Sequence, residues 1–425
     1  MKSDLLVLSA AQLITAPEGA APLTGPSLNR PLLISDAAIA VVGEKIAAVG
    51  PTREVTARYP EREAKSVLDA RGRLVAPGFV DAHTHLPFAG TREMEFEARA
   101  VGESYEAIAA RGGGIRESVR QLRALDEAAL SDRVAKRLER LLEQGITTVE
   151  AKSGYGLSVE GEMKQLRGLQ RAAAGARAEV VPTFLGAHEI PDEYRDRRGA
   201  YVDLVVEEMI PAVAAAKLAR FCDIFCDRGV FTVDESRRIL EAGKAHGLLP
   251  KLHADELADV GAAALAAEVG AVSADHLLHA ADRGLDAMAR AGVIAVLLPG
   301  TPFTLGLPFA KARRMIDRGL AIALATDFNP GTSMSSSMTL TLTLAVTQMR
   351  LSPAEAWMAA TANAAFAVRE GAKVGRIQPG FQADLCLFDT DDHRHIPYHY
   401  SHDHVHAVVK RGHVEIDGGE HWSCF

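Results

Sequence analysis

Eight short apolar runs that end in polar residues, helical segments between them, and β texture at both chain ends predict an α/β fold. The expected form is a (β/α)8 TIM barrel with a small β-sandwich domain built from both chain ends. An open doubly wound sheet would bring a glycine-rich phosphate loop after an early strand, and none stands in that context. At 425 residues the chain is long for one core, which also asks for two units. The expected division is 1–76 for the N-terminal part of the β domain, 77–376 for the barrel and 377–425 for the C-terminal part.

The first apolar run, "LLVLSAAQLITA", is interrupted by Gln12, and Asp4 offsets the charge of Lys2, so it reads as a strand and not as a secretory signal. "AAIAVVGEKIAAVGP" holds two apolar runs joined by "GEK", a hairpin pattern. "VLDARGRLVAPGFVDAH" leads through turn residues into the barrel. The eight barrel strands, each quoted with its C-terminal loop, are "GFVDAHTH", "TTVEAKSGYG", "VVPTFLGAHE", "CDIFCDRG", "LLPKLHADE", "AVSADHLLH", "VIAVLLPGT" and "AIALATDFNPG". Between them, "SDRVAKRLERLLEQG" sets Val134, Leu138, Leu141 and Leu142 on one stripe and stops at Gly145. "SPAEAWMAATANAAFAV" opens with Ser352 as N-cap, Pro353 at the first helical position and Glu355 completing a capping box. "GRIQPGFQADLCLFD" and "HVHAVVKRGHVEIDG" then return to β texture.

Bulk composition excludes several function classes. The formal net charge is −8 and no Lys/Arg block stands out, which argues against nucleic acid as a partner while leaving room for a local anion pocket. No run is long and apolar enough to span a bilayer, so no membrane partner is expected. Four cysteines form no disulfide framework, and a cytoplasmic location is expected. Cys222 and Cys226 read as core thiols on a buried strand.

In such barrels the site gathers at the C-terminal strand ends. The first strand ends in His83 and His85, the second in Lys152 and Tyr155, the third in His188 and Glu189. The fifth ends in His253, Asp255 and Glu256, the sixth in Asp275, His276 and His279, the eighth in Asp327 and Asn329. One such histidine alone is ordinarily a hydrogen-bonded structural residue. Several on different strands converge on one mouth. Alternate residues of a strand share a face, so His83 and His85 present two imidazoles to one place. With His253 and Asp327 they would hold a divalent first-row metal and leave a position for water. Such an ion lowers the pKa of its water from about 15.7 towards ~7. Asp327 is then a candidate to take the proton, while His276 could orient the nucleophile, act as base or polarise a carbonyl.

The H-x-H pair, the histidines of the fifth and sixth strands and the aspartate of the eighth resemble the amidohydrolase superfamily. "KSGYGL", "LGAHEIPDEY", "KLHADEL", "ADHLLH", "LLPGTPFTLG" and "ATDFNPGTS", in that order, resemble its imidazolonepropionase family over nearly the whole chain. Two-metal relatives usually carry a bridging lysine on the fourth strand; "CDIFCDRG" has none, so one metal is expected.

The resemblance implies hydrolysis of the ring C–N amide bond of 4-imidazolone-5-propanoate to N-formimidoyl-L-glutamate in histidine degradation. It implies one divalent or trivalent metal per subunit, zinc or iron, and a homodimer. It places substrate contacts at Tyr155, His188, Glu256, Asn329, Gly331 and Thr332, and proton transfer among Asp327, His276 and Glu256. Arg92 in "AGTREMEF" is then expected to hold the substrate's carboxylate tail with its fork of donors. The glycines flanking Tyr155 are expected to free that loop to approach a ligand. Seven histidines between His393 and His413 have no place in the family pattern and read as alternate positions on β-domain strands, with a subunit contact left open. Two competing readings are a deaminase-like enzyme of the same superfamily and a catalytically silent scaffold. The tail-binding arginine and the "SGYG" and "NPGT" loops speak against the first. The complete ligand set speaks against the second.

Overall fold

The computed structural model describes residues 1–103, 112–400 and 402–418. The N-terminal strands are β1 (Ser3–Thr15), β2 (Leu32–Val42), β3 (Lys45–Pro51), β4 (Ala64–Asp69) and β5 (Leu74–Pro77). The barrel strands are β6 (Phe79–Asp81), β7 (Ile146–Lys152), β8 (Glu179–Ala187), β9 (Phe221–Cys226), β10 (Leu249–Ala254), β11 (Ser273–His276), β12 (Ile294–Leu297) and β13 (Ile322–Leu324). β14 (Leu385–Phe388), β15 (Val405–Lys410) and β16 (His413–Asp417) complete the set.

β6 to β13 pair in sequence order, all in parallel. The seam between β13 and β6 closes just beyond the strands, where Asp327 N donates to His83 O (3.1 Å) and His85 N to Phe328 O (3.0 Å). This seam brings two of the predicted ligand segments side by side. The remaining strands form one mixed sheet in the order β16-β15-β14-β5-β1-β2-β3, with β4 also on β1. β14 runs antiparallel to β5, so the C-terminal strands extend an N-terminal sheet. Leu5, Val7, Leu13, Ile39, Val75, Leu385, Leu387 and Val409 pack into one core of that sheet. The "GEK" hairpin turns at Gly43 with a left-handed backbone (φ 59°).

Helices cover the barrel where their apolar stripes demand it. The helix Glu127–Glu143 buries Leu130, Val134, Leu138, Leu141 and Leu142. It begins earlier than the periodic stretch alone suggests, because the Asp126 side chain accepts from Ala129 N (2.8 Å). Ser352 and Glu355 form their reciprocal capping box. The single helix expected after it instead widens to a π turn at Ala359–Asn363. There the Asn363 amide bonds to both backbone groups of Leu23 and donates to Ile322 O (2.8 Å), tying the N-terminal segment to β13.

Cys222, Cys226 and Cys386 are buried free thiols; Cys424 lies outside the described residues. Burial pushes the Cys226 thiol up to about 12, so it stays protonated and inert. The histidine-rich stretch departs from simple strand alternation. His406 lies on β15 and His413 on β16, but His395 opens the helical turn His395–Tyr398. Asp392 causes this: its side chain accepts from Arg394 N (2.8 Å) and its carbonyl from His395 N (3.1 Å), a local turn that competes with extended backbone.

Candidate active site

At the mouth of the barrel His83, His85 and Asp327 bring one donor atom each into a close group, and His253 joins it through His85. Asp327 Oδ1 lies 3.6 Å from His83 Nε2 and 3.5 Å from His85 Nε2, and His253 Nε2 lies 3.3 Å from His85 Nε2. A tetrahedral ion with bonds of about 2.1 Å would set its ligands about 3.4 Å apart. His83 Nε2 and Asp327 Oδ1 are buried without a hydrogen-bond partner among the described residues. Burial holds the His83 and His85 imidazoles well below the ordinary histidine pKa, so both offer lone pairs and not positive charge. The donor set, its spacing and its orphaned atoms fit a metal ion.

The outward nitrogens explain why the inward ones are free. His83 Nδ1 donates to Asp275 Oδ2 (2.6 Å) and His253 Nδ1 to Asp223, 3.2 Å from its Oδ2. Each imidazole therefore turns Nε2 into the mouth, the carboxylate–histidine arrangement that fixes tautomer and ring orientation. Asp223 comes from β9, whose only charge in the sequence pattern looked like part of a buried strand. Its signal was there: a carboxylate inside an apolar run needs a partner.

Local backbone aims the other groups. Asp327 and His276 both adopt left-handed conformations (φ 54° and 72°), each costing on the order of 1–3 kcal/mol. The kink at His276 ends β11, while that at Asp327 lies three residues beyond the end of β13. Thr301, in the short helix Gly300–Leu305 after β12, donates its hydroxyl to Asp327 Oδ2 and leaves Oδ1 for the cluster. Burial raises the Asp327 carboxyl to about 6. His276 Nε2 is 3.4 Å from Glu256 Oε2. Burial first, and then the neighbouring Asp327 and Asp227 carboxylates, push Glu256 well above the ordinary carboxylate range. Asp227 anchors the Glu256 loop by accepting from the backbone N–H of Glu256 (2.7 Å), Leu257 (2.8 Å) and Ala258 (3.2 Å).

One wall is aromatic and rigid. His188 stacks on His85 with ring centres 4.9 Å apart, and Tyr155 lies 5.4 Å from His188. The "SGYG" loop is not loose, contrary to what its glycines suggest. Glu162 accepts from Gly154 N (3.1 Å), Gly156 N (2.8 Å) and Leu157 N (2.9 Å), and a Cβ on Gly156 would collide with the backbone of Gly161. Here glycine serves close packing.

Arg92 lies nearby, largely buried, with Nε 3.5 Å from Glu95 Oε2. A cavity of about 460 Å³ opens on it, lined also by Arg99, Phe303, Gly331 and Met334. Asn329 directs its side chain into its own loop. Its amide nitrogen donates to Asp327 O (2.7 Å) and Thr332 Oγ1 (2.9 Å), while its oxygen accepts from Gly331 N and Thr332 N (both 2.8 Å). Asn329 thus shapes the turn beside Arg92, with Gly331 and Thr332 as its partners.

Other strand-end residues face elsewhere. His279 is exposed. Asp255 accepts from the N–H groups of Val260, Ala262 and Ala263, and Glu189 from that of Ile190. Residues that sequence reasoning missed include Asp223, Asp227, Thr301, Glu95 and Glu162, all polar groups buried wholly or nearly so.

Known families match the chain along most of its length. The Amidohydrolase family model matches residues 74–414, and an imidazolonepropionase-like composite domain of bacteria matches 37–61. Imidazolonepropionase of Symbiobacterium thermophilum is 51% identical over 419 residues, 98% of each chain. That of Geobacillus thermodenitrificans is 48% identical over 98% of this chain and 99% of its own. Guanine deaminase of E. coli shares the fold (TM-score 0.75, 16% identity, covering 98% of this chain and all of its own). So does zinc-complexed atrazine chlorohydrolase of Arthrobacter aurescens (TM-score 0.72, 16% identity, 97% and 95%). The chain belongs to the imidazolonepropionase family of the amidohydrolases, hydrolases of carbon–nitrogen bonds.

Proposed function

We propose that this chain opens the ring amide of 4-imidazolone-5-propanoate to N-formimidoyl-L-glutamate, a step of histidine degradation, with one zinc or iron ion per subunit. The observation that carries the reading is the close grouping of His83 Nε2, His85 Nε2 and Asp327 Oδ1 at the mouth, with His253 Nε2 against His85 Nε2 and two of these atoms orphaned. Relatives named imidazolonepropionase at up to 51% identity supply the substrate class.

The ion, when bound, supplies a water of pKa near ~7 at its open position. The chain's own residues do the rest. Asp327 takes a proton as water oxygen attacks the ring carbonyl carbon. His276 faces that carbonyl and polarises it, and Glu256 delivers a proton to the ring nitrogen as the C–N bond breaks. Arg92 pairs with the substrate's carboxylate tail, and its burial makes the guanidinium fork more effective than one in open solvent. Tyr155 and His188 pack against the ring, and the loop of Asn329, Gly331 and Thr332 borders the tail. Zinc and iron both suit an N/O donor set.

A homodimer follows from the resemblance, and a cytoplasmic location from cysteine usage. Among the described residues no helix is long and apolar enough to cross a membrane. The strand assignments support domain boundaries near residues 77 and 376.

The test is loss of the imidazolone ultraviolet absorbance with purified protein, alongside a metal assay. Rapid, chelator-sensitive loss with about one ion per chain is expected. An ion without turnover would redirect the reading to other cyclic amides and deaminase substrates.

A further inference from the structure

Beneath the four donors lies a buried charged layer that the reaction does not use. Lys152, at the end of β7, is fully buried. Its Nζ lies 2.7 Å from Asp223 Oδ2, 2.7 Å from Glu150 Oε1 and 3.7 Å from Asp275 Oδ2. Asp223 and Asp275 are the two carboxylates that accept from the Nδ1 groups of His253 and His83.

We propose that Lys152 is a positioning residue for metal binding, one ammonium holding both carboxylates and so setting two ligand imidazoles at once. This rests on the metal site proposed above. An ammonium has three donors and no acceptor, so it can serve three carboxylates without competing for the histidines. The carboxylates, in turn, are unequally served. Glu150 has a second cation within 3.8 Å, Lys251, and also accepts from the Thr183 hydroxyl. Asp223 has Lys152 as its only lysine or arginine partner among the described residues, with Ile224 N as a further donor (2.7 Å). Loss of Lys152 therefore frees Asp223 to rotate or to draw in water, and the His253 ring with it. Burial disfavours the Lys152 cation, but Asp223, Glu150 and Asp275 together outweigh it and hold its pKa above the ordinary lysine value.

The comparison is between wild type, Lys152→Met and Glu150→Gln, each as the full chain. Zinc affinity is measured by competition with a chromophoric chelator, and ligand geometry by the visible spectrum of the cobalt(II)-loaded protein. Lys152→Met should bind zinc about 10–100-fold more weakly, with an altered cobalt spectrum. Glu150→Gln also loses a 2.7 Å buried ion contact but leaves the Lys152–Asp223 contact in place. It should stay within about threefold of wild type. Wild-type affinity and spectrum in Lys152→Met would overturn the proposal, and so would equal weakening in Glu150→Gln. If Lys152→Met does not fold, Lys152→Gln, which keeps a donor but removes the ammonium charge, takes its place with the same two readouts, and wild-type affinity and spectrum there overturn the proposal. A wild-type chain that binds no zinc and no iron would instead remove the metal site itself.

Discussion

The Arg92 guanidinium occupies the space that a side chain on Gly331 would need; even a Cβ there would overlap its terminal nitrogen. Arg99 adds a second arginine at the same turn by donating to Gly331 O (3.1 Å). Gly331→Ala should therefore displace Arg92 and raise KM for a substrate with a carboxylate tail by tenfold or more, roughly the loss of one charge-assisted hydrogen bond. Arg92→Ala should do the same, with kcat less affected. Steady-state kinetics check both, and an unchanged KM in Arg92→Ala would remove the carboxylate assignment.

Asp327→Ala removes an orphaned oxygen of the proposed metal site and the candidate base together. Turnover should fall to background, and the metal retained after dialysis should fall with it. Chelator treatment of wild type should abolish activity reversibly, with recovery on adding zinc or iron. Atomic absorption on the same samples separates ion loss from base loss.

Glu179, at the start of β8, meets Lys373 (2.6 Å), Arg411 (3.4 Å) and Lys410 (3.7 Å). Burial pushes its carboxyl up, but these cations outweigh burial and bring it to about 2 from 4.5. A depressed folded pKa means stabilisation that is present above the ordinary value and is lost as pH falls from about 4.5 to about 2. The contribution is on the order of 2 kcal/mol, allowing for solvent around Lys373 and Arg411. Glu179→Gln should flatten the acid limb of a stability-versus-pH curve from urea unfolding, with little change in activity at neutral pH.

Trp357 stacks on Phe79 of β6 (5.2 Å between centres) and meets Phe388 of β14 edge-on (5.3 Å), joining the barrel to the mixed sheet. Its indole N–H donates to His393 O (3.0 Å). Trp357→Ala should cost about 3–5 kcal/mol in denaturant unfolding. Trp357→Phe, which keeps the ring contact and loses the donor, should cost less.

The sequence by itself determined the local elements: the eight apolar runs became the eight barrel strands, Ser352 and Glu355 their capping box, and the Gly43 turn its hairpin. Periodicity and caps act within a few residues, so they survive in a linear reading. It also named the histidines and the aspartate at the mouth, because the H-x-H pair and the strand-end positions are themselves local. Tertiary structure alone decided which atoms of those residues meet. Thr326 and Asp81 bond across a gap of 245 residues to help close the seam, and only then do His83, His85 and Asp327 come within 3.6 Å. The choice of Nε2 over Nδ1 depends on Asp275 and Asp223, which come from other strands. Asn329 and the "SGYG" glycines read as ligand contacts or loose turns in sequence. The hydrogen bonds of Asn329 and the close packing of those glycines also give them a part in the framework around the mouth. Where a side chain's partner lies beyond its own turn or strand, composition shows that a partner is needed, and only chain closure shows which residue it is.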